Sequence, residues 1–258
     1  MSMELKIGSG FEFPTQEFFV SKEDQKFKLA CCGIDPDLYG EEVDITMLGL
    51  PTLRVLMACS IPILGSVHLW QRFRQLKPFK FGERILASGK VLRVEPHPRG
   101  CILTCDFTYM DSRGEIRIEA RRSGISPIGP REPSQDITRP EEDLEGFSEI
   151  MRRVLEPEKV ADFSSEAGNL IHSDPKVARE HGFRAPIAAG LMAIHFYREA
   201  LARYQDSTDF DLEVWFRRPM FWDDTLSLVA KKRQGKIESM HLLGSDGKPT
   251  SNCILHLG

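Results

Sequence analysis

The residues of this chain best suited to chemistry lie between Phe163 and Leu191. Phe163-Ser164-Ser165-Glu166-Ala167-Gly168-Asn169-Leu170-Ile171-His172-Ser173-Asp174-Pro175 is followed, after a short helix, by Gly182-Phe183-Arg184-Ala185-Pro186-Ile187-Ala188-Ala189-Gly190-Leu191-Met192. An imidazole titrates close to neutrality, so His172 is able to take or give a proton at physiological pH. Glu166 supplies a carboxylate six residues earlier. If the segment is extended, its side chain faces away from any partner one position off in register; if it is a loop, it reaches. Gly190 opens an apolar helical run. A helix N-terminus presents backbone N–H groups without intrahelical acceptors, and its dipole favours developing negative charge.

The elements that must hold these residues are legible from periodicity. Ile187, Leu191, Ile194, Tyr197 and Leu201 recur at three- and four-residue spacing, which predicts a helix from Pro186 to about Tyr204 with Pro186 in its first turn. Strand-like runs follow at 211–217, 225–232, 237–243 and 251–257, with Asp246-Gly247 as a hairpin turn. The first half has the same order: a helix near 46–59, strands around 66–75, 84–95, 101–110 and 115–123, and a turn at Ser112-Arg113-Gly114. Lys77-Pro78-Phe79-Lys80-Phe81-Gly82-Glu83 resembles Arg218-Pro219-Met220-Phe221-Trp222-Asp223-Asp224, an offset of 141 from Pro78 to Pro219. The same offset carries Gly49-Leu50 onto Gly190-Leu191, so the chain is read as a duplication. Residues 126–146, with four prolines and no apolar periodicity, read as the linker between a unit at 1–125 and a unit at 147–258. One long helix, a strand ahead of it and four antiparallel strands behind it predict an α+β unit whose curved sheet wraps the helix.

The stretch around Asn169, His172 and Gly190 resembles the signature of the MaoC-like dehydratases and type-2, (R)-specific enoyl-CoA hydratases: Ser-Gly-Asp-x-Asn-Pro-Ile-His, then Asp-Pro, Gly-Phe and Pro-Ile-Ala-His-Gly. The match covers about thirty residues at motif level, and the duplicated pattern extends it to nearly the whole chain as a tandem, or double, hot-dog fold. The resemblance implies reversible addition of water to an enoyl thioester of coenzyme A or acyl carrier protein. It gives His172 a catalytic role, Asn169 the ordering of loop or water, and Gly190, with Ala189 and Ile187 before it, the thioester oxygen. Three positions depart from the family. Ala167 stands where the catalytic aspartate belongs and cannot move a proton, leaving adjacent Glu166 as the candidate acid; Leu170 replaces a proline and Ala189 a histidine. Under the same offset Cys31 stands opposite His172, so the resemblance implies one catalytic centre per chain and a first half that widens the tunnel for a long or bulky acyl group.

Composition narrows the alternatives. Of 258 residues, 41% are hydrophobic and 28% charged, and the net charge of −4 gives no basic field for nucleic acid. No stretch of about 18 apolar residues predicts a membrane span, and Met1 to Gly10 lacks a secretory apolar region, so a cytoplasmic protein is expected. Six cysteines without a CxxC pair read as buried thiols, and neither a metal nor a redox cofactor is expected. His68 and His195 read as packing residues in an apolar strand and on the central helix. Arg121-Arg122 and Arg217-Arg218 read as a solvated sheet edge, with coenzyme A phosphates or an acidic carrier protein as the other account. Trp215, Phe216, Phe221 and Trp222 are expected to fill the core and the unit interface. The expected ligand is an acyl thioester, with an acyl carrier protein or a second copy of the chain as candidate partners. A non-catalytic binding protein and a thioesterase using Glu166 or His172 are the competing functions.

Overall fold

Alternating apolar residues build ten strands in the computed structural model, which describes residues 8–61, 64, 66–126, 142–205 and 210–256. The first unit contains β1 (Glu12–Phe18), α1 (Lys22–Cys31), a 3-10 turn (Ile45–Leu48), α2 (Gly49–Ala58), β2 (Val67–Gln75), β3 (Ile85–His97), β4 (Gly100–Met110) and β5 (Ile116–Ser126). The second contains β6 (Ser148–Val154), α3 (Pro157–Ser164), α4 (Pro175–Glu180), α5 (Gly190–Tyr204), β7 (Phe210–Phe216), β8 (Thr225–Arg233), β9 (Lys236–Leu243) and β10 (Pro249–Leu255). Most of the predicted linker, 127–141, lies outside the described residues.

All ten strands form one antiparallel sheet in the order β1-β3-β4-β5-β2-β7-β10-β9-β8-β6. Read inward from either edge, each unit therefore repeats one order, and the units join where β2 pairs with β7. Arg72 stands opposite Glu213, the residue 141 positions later, so the sequence offset marks the pseudo-twofold axis. Around it Arg72 forks onto Asp211 at 2.8 and 2.6 Å, and Trp70 Nε1 donates to Glu213 at 2.9 Å. The offset changes along the chain rather than with distance across the sheet: β1 and β6 begin 136 positions apart (Glu12, Ser148), and β5 and β10, which flank the seam strands, begin 133 apart (Ile116, Pro249). Cys31 consequently ends α1 and is no counterpart of His172, which lies beyond α3.

The core sits between the sheet and the two central helices. α5 buries ten consecutive residues, Met192 to Leu201, because sheet, β6 and first-unit segments surround it. Its buried charge is neutralised locally, with Glu199 accepting from Arg153 at 2.6 Å and from Arg203 at 2.9 Å. Two expectations are corrected. α5 starts at Gly190, because Pro186 to Ala189 are extended: Ile187 bridges to Phe221 and the Ala188 amide donates to Met220. Trp215 is 39% exposed, its indole N–H donating to Glu213, and does not fill the core. Short helices α1 and α3 follow from capping, with Ser21 accepting from the Asp24 amide and Pro157 in the first turn of α3.

Candidate functional site

The motif leaves α3 through a 3-10 turn at Ser165–Ala167. Gly168, at φ 63°, then takes the left-handed conformation that reverses the chain. A second 3-10 turn, Leu170–His172, leads to Asp174, whose carboxylate caps α4 by accepting from the Lys176 amide at 2.7 Å. Fully buried Ile171 pins this loop, and its carbonyl accepts from the Ile187 amide at 3.1 Å. The Ile187 carbonyl in turn lies 2.7 Å from His172 Nδ1. A carbonyl only accepts, so Nδ1 carries the proton and Nε2 holds the free lone pair. Burial also lowers the pKa of His172 below the ordinary histidine value, only partly opposed by the Ile187 bond, so the ring is neutral at pH 7.

Glu166, Asn169, His172, Ile187, Ala189 and Gly190 all line one cavity of about 280 Å³ between the two units. Asn169 is buried beside the loop. Glu166 is differently occupied: Lys28 of α1 lies 2.9 Å from one oxygen and Arg54 of α2 3.0 Å from the other, so its carboxylate straps the second unit to the first. Lys28 also donates to the Phe163 carbonyl at 2.6 Å. Gly190 begins the 15-residue α5, whose first amides have no intrahelical acceptor. A Cβ added there would sit 3.0 Å from the Phe216 ring and 3.1 Å from His68 Nδ1, so only glycine leaves this approach open.

Two groups that sequence reasoning set aside also face the cavity. His195 of α5 lines it and donates from Nδ1 to Asp44 Oδ2 at 2.6 Å, both residues being almost wholly buried. Burial alone would raise the Asp44 pKa, but the charge and hydrogen bond of His195, with Arg198, outweigh it and hold the carboxyl below its ordinary value. Asp44 is also capped onto Thr46, the only local signal of its place; its partner is 151 residues away. His68 is no plain packing residue either: it lines the cavity, tilts against Phe216 at 4.7 Å, and among the described residues its buried Nε2 has no hydrogen-bond partner. Among the described residues no three His, Cys, Asp or Glu side chains group as metal ligands, and no helix is long and apolar enough to cross a membrane.

Solved structures place this architecture. HtdX from Mycobacterium tuberculosis superposes with a TM-score of 0.75 at 17% identity over 94% of this chain and 98% of its own. A MaoC-like dehydratase does so at 0.73 and 13% identity, covering 97% and 98%. RV0216 from Mycobacterium tuberculosis, described as a double hotdog fold, gives 0.66 at 12%, covering 97% of both chains. This chain is a double hot dog. No protein-family model and no curated protein sequence matches it. Within the double hot dog, the motif-bearing loop belongs to the second unit, while the first contributes Lys28, Arg54 and His68 to the shared cavity wall. Arg217 and Arg218 lie at that wall too, tied to Asn252 at 3.0 Å and the Pro249 carbonyl at 2.8 Å.

Proposed function

We propose that the cavity binds an acyl thioester and that the chain catalyses reversible hydration of enoyl thioesters carried by coenzyme A or acyl carrier protein. One observation carries this reading: a neutral His172 whose Nε2 lone pair is free, on the wall of a cavity that also contains the N-terminus of α5. In the hydration direction Nε2 takes a proton from water as the oxygen adds to the β-carbon. The electrons move toward the thioester oxygen, where the first amides of α5 at Gly190 and Leu191 stabilise the charge. Asn169 orders the attacking water. The α-carbon then needs a proton, and Ala167 supplies none. Glu166 has both oxygens engaged by cations, so His195, which lines the same cavity and is backed by the buried Asp44 carboxylate, is the better source.

The experiment follows loss of conjugated absorbance of crotonyl- and longer enoyl-thioesters, with thioester hydrolysis monitored in parallel. Hydration by the natural protein that collapses in His172→Ala is the expected result, and Glu166→Gln and His195→Asn then assign the second proton. No turnover with retained thioester binding would replace the hydro-lyase by a binding protein, and hydrolysis in its place would make it a thioesterase.

A further inference from the structure

β5 places an arginine where its sheet face calls for an apolar residue. Ile118 and Ala120 of β5 are core residues, and Arg122, on the same face by alternation, follows them into the cavity wall. Arg121 points the other way and forks onto Asp106, so the expected solvated pair of arginines is split between two environments. In the sheet Arg122 lies between Cys105 of β4 and Gln71 of β2. The Cys105 thiol is neutral, burial pushing it up to about 12, and the Gln71 side chain carries no charge, its Nε2 donating to the carbonyls of Arg72 and Arg121. Among the described residues, no hydrogen bond or ion pair reaches the Arg122 guanidinium, and burial holds its pKa below the usual arginine value. Gly124 is the neighbour of this side chain on the strand, Arg122 Nη2 lying 3.9 Å from where a Gly124 Cβ would sit. Arg99, from the turn between β3 and β4, reaches the same cavity with no carboxylate on its side chain among the described residues. His68 completes the group. Its pKa is lowered strongly, by burial first and then by the Arg122 charge, against the opposing hydrogen bonds of Trp70 and Gln71, so it is neutral, and among the described residues its Nε2 lacks a partner.

A half-buried guanidinium without a counter-charge is less well solvated than one in water, and a fold that holds one beside an open cavity is matched to an anion that arrives with the ligand. We propose that the first-unit end of the cavity is an anion subsite in which Arg122 and Arg99, beside His68, hold a carboxylate or phosphate carried by the bound thioester. This rests on the acyl-thioester reading above and adds a substrate class to it. The anion comes either from a carboxylate at the far end of the acyl group or from a phosphate of the carrier; both suit a guanidinium fork in the same way.

Binding calorimetry on the full chain separates the sources. The probes are glutaryl and butyryl thioesters, each on coenzyme A and on N-acetylcysteamine, which has no phosphate. With a carboxylate in the subsite, glutaryl binds about tenfold or more tighter than butyryl on both carriers, the size expected of a charge-assisted pair, and Arg122→Gln erases the ratio. With a phosphate there, coenzyme A exceeds N-acetylcysteamine by a similar factor whatever the acyl group, and Arg122→Gln erases that ratio. Both ratios unchanged in Arg122→Gln would overturn the subsite. If no thioester binds at all, the acyl-thioester reading falls, and glutarate and inorganic phosphate alone decide the subsite: thermal stabilisation of the natural protein but not of Arg122→Gln supports it, and none refutes it. Arg122→Met keeps the test independent of folding. Removing an unneutralised cation should raise the melting temperature, whereas a fall would make Arg122 a structural partner and count against the proposal.

Discussion

The two units share one strand order and diverge in what lies between their first strand and central helix. In the second unit that stretch is α3, two 3-10 turns, α4 and an extended lead into α5, and it carries Asn169 and His172. In the first it is α1 and a 13-residue passage, 32–44, to a 3-10 turn, and it carries Lys28 and Asp44. The second unit thus presents a neutral imidazole and a helix N-terminus to the cavity; the first presents the charges of Lys28 and Arg54, which reach Glu166, while its Asp44 backs His195 from behind the wall. The two units keep one scaffold and differ in the side chains they bring to the cavity.

The comparison predicts unequal consequences for changes in the two units. His172→Ala should lower hydration about 10² to 10⁴-fold, the range for loss of a positioned general base, while Cys31→Ala in the first unit should leave the rate within a factor of a few, as steady-state assays will show. Gly190→Ala should reduce kcat about tenfold or more, because the new Cβ meets the aromatic Phe216 and His68 rings at the helix start. Gly49→Ala meets only the tip of the flexible Leu191 side chain, so kcat should be spared and the change appear as a lower melting temperature. The acid limb of the hydration rate tests the base. Burial favours neutral His172, so activity should persist below the ordinary histidine value of about 6.5 and fall only at lower pH, while the contribution of this residue to stability declines as pH drops through that value. A limb above 6.5 would assign the base elsewhere. Smallest is Glu166→Gln, which loosens the strap to Lys28 and Arg54; one partner is exposed, so calorimetric unfolding should show a loss of roughly 1 kcal/mol or less.

Much of this was written in short-range pattern. The strands from β2 to β5 and β7 to β10 fall within three residues of their sequence-derived limits, because alternation and turn residues act locally. The start of α5 was missed because Pro186 fits a first helical turn as well as an extended lead; bridges to Phe221 and Met220, more than 30 residues away, decide between them. The Asp44–His195 pair was illegible for the same reason at longer range. Arg122 was misread because adjacent arginines suggest a common fate, whereas strand alternation must send neighbours to opposite faces.

The seam at Arg72 and Glu213 has one further consequence, for where this chain tolerates change in length. A residue inserted into β2 would turn every side chain beyond it from core to solvent against two partners at once, β5 and β7. A residue added in an outer hairpin costs only a little closure entropy. The spacing between the units holds at 141 at the seam and 140 from the start of β3 to that of β8, then falls to 136 from β4 to β9 and 133 from β5 to β10, so the changes in length enter at the hairpins. The β2–β7 pairing acts as a fixed ruler, and the freedom to lengthen or shorten belongs to the turns.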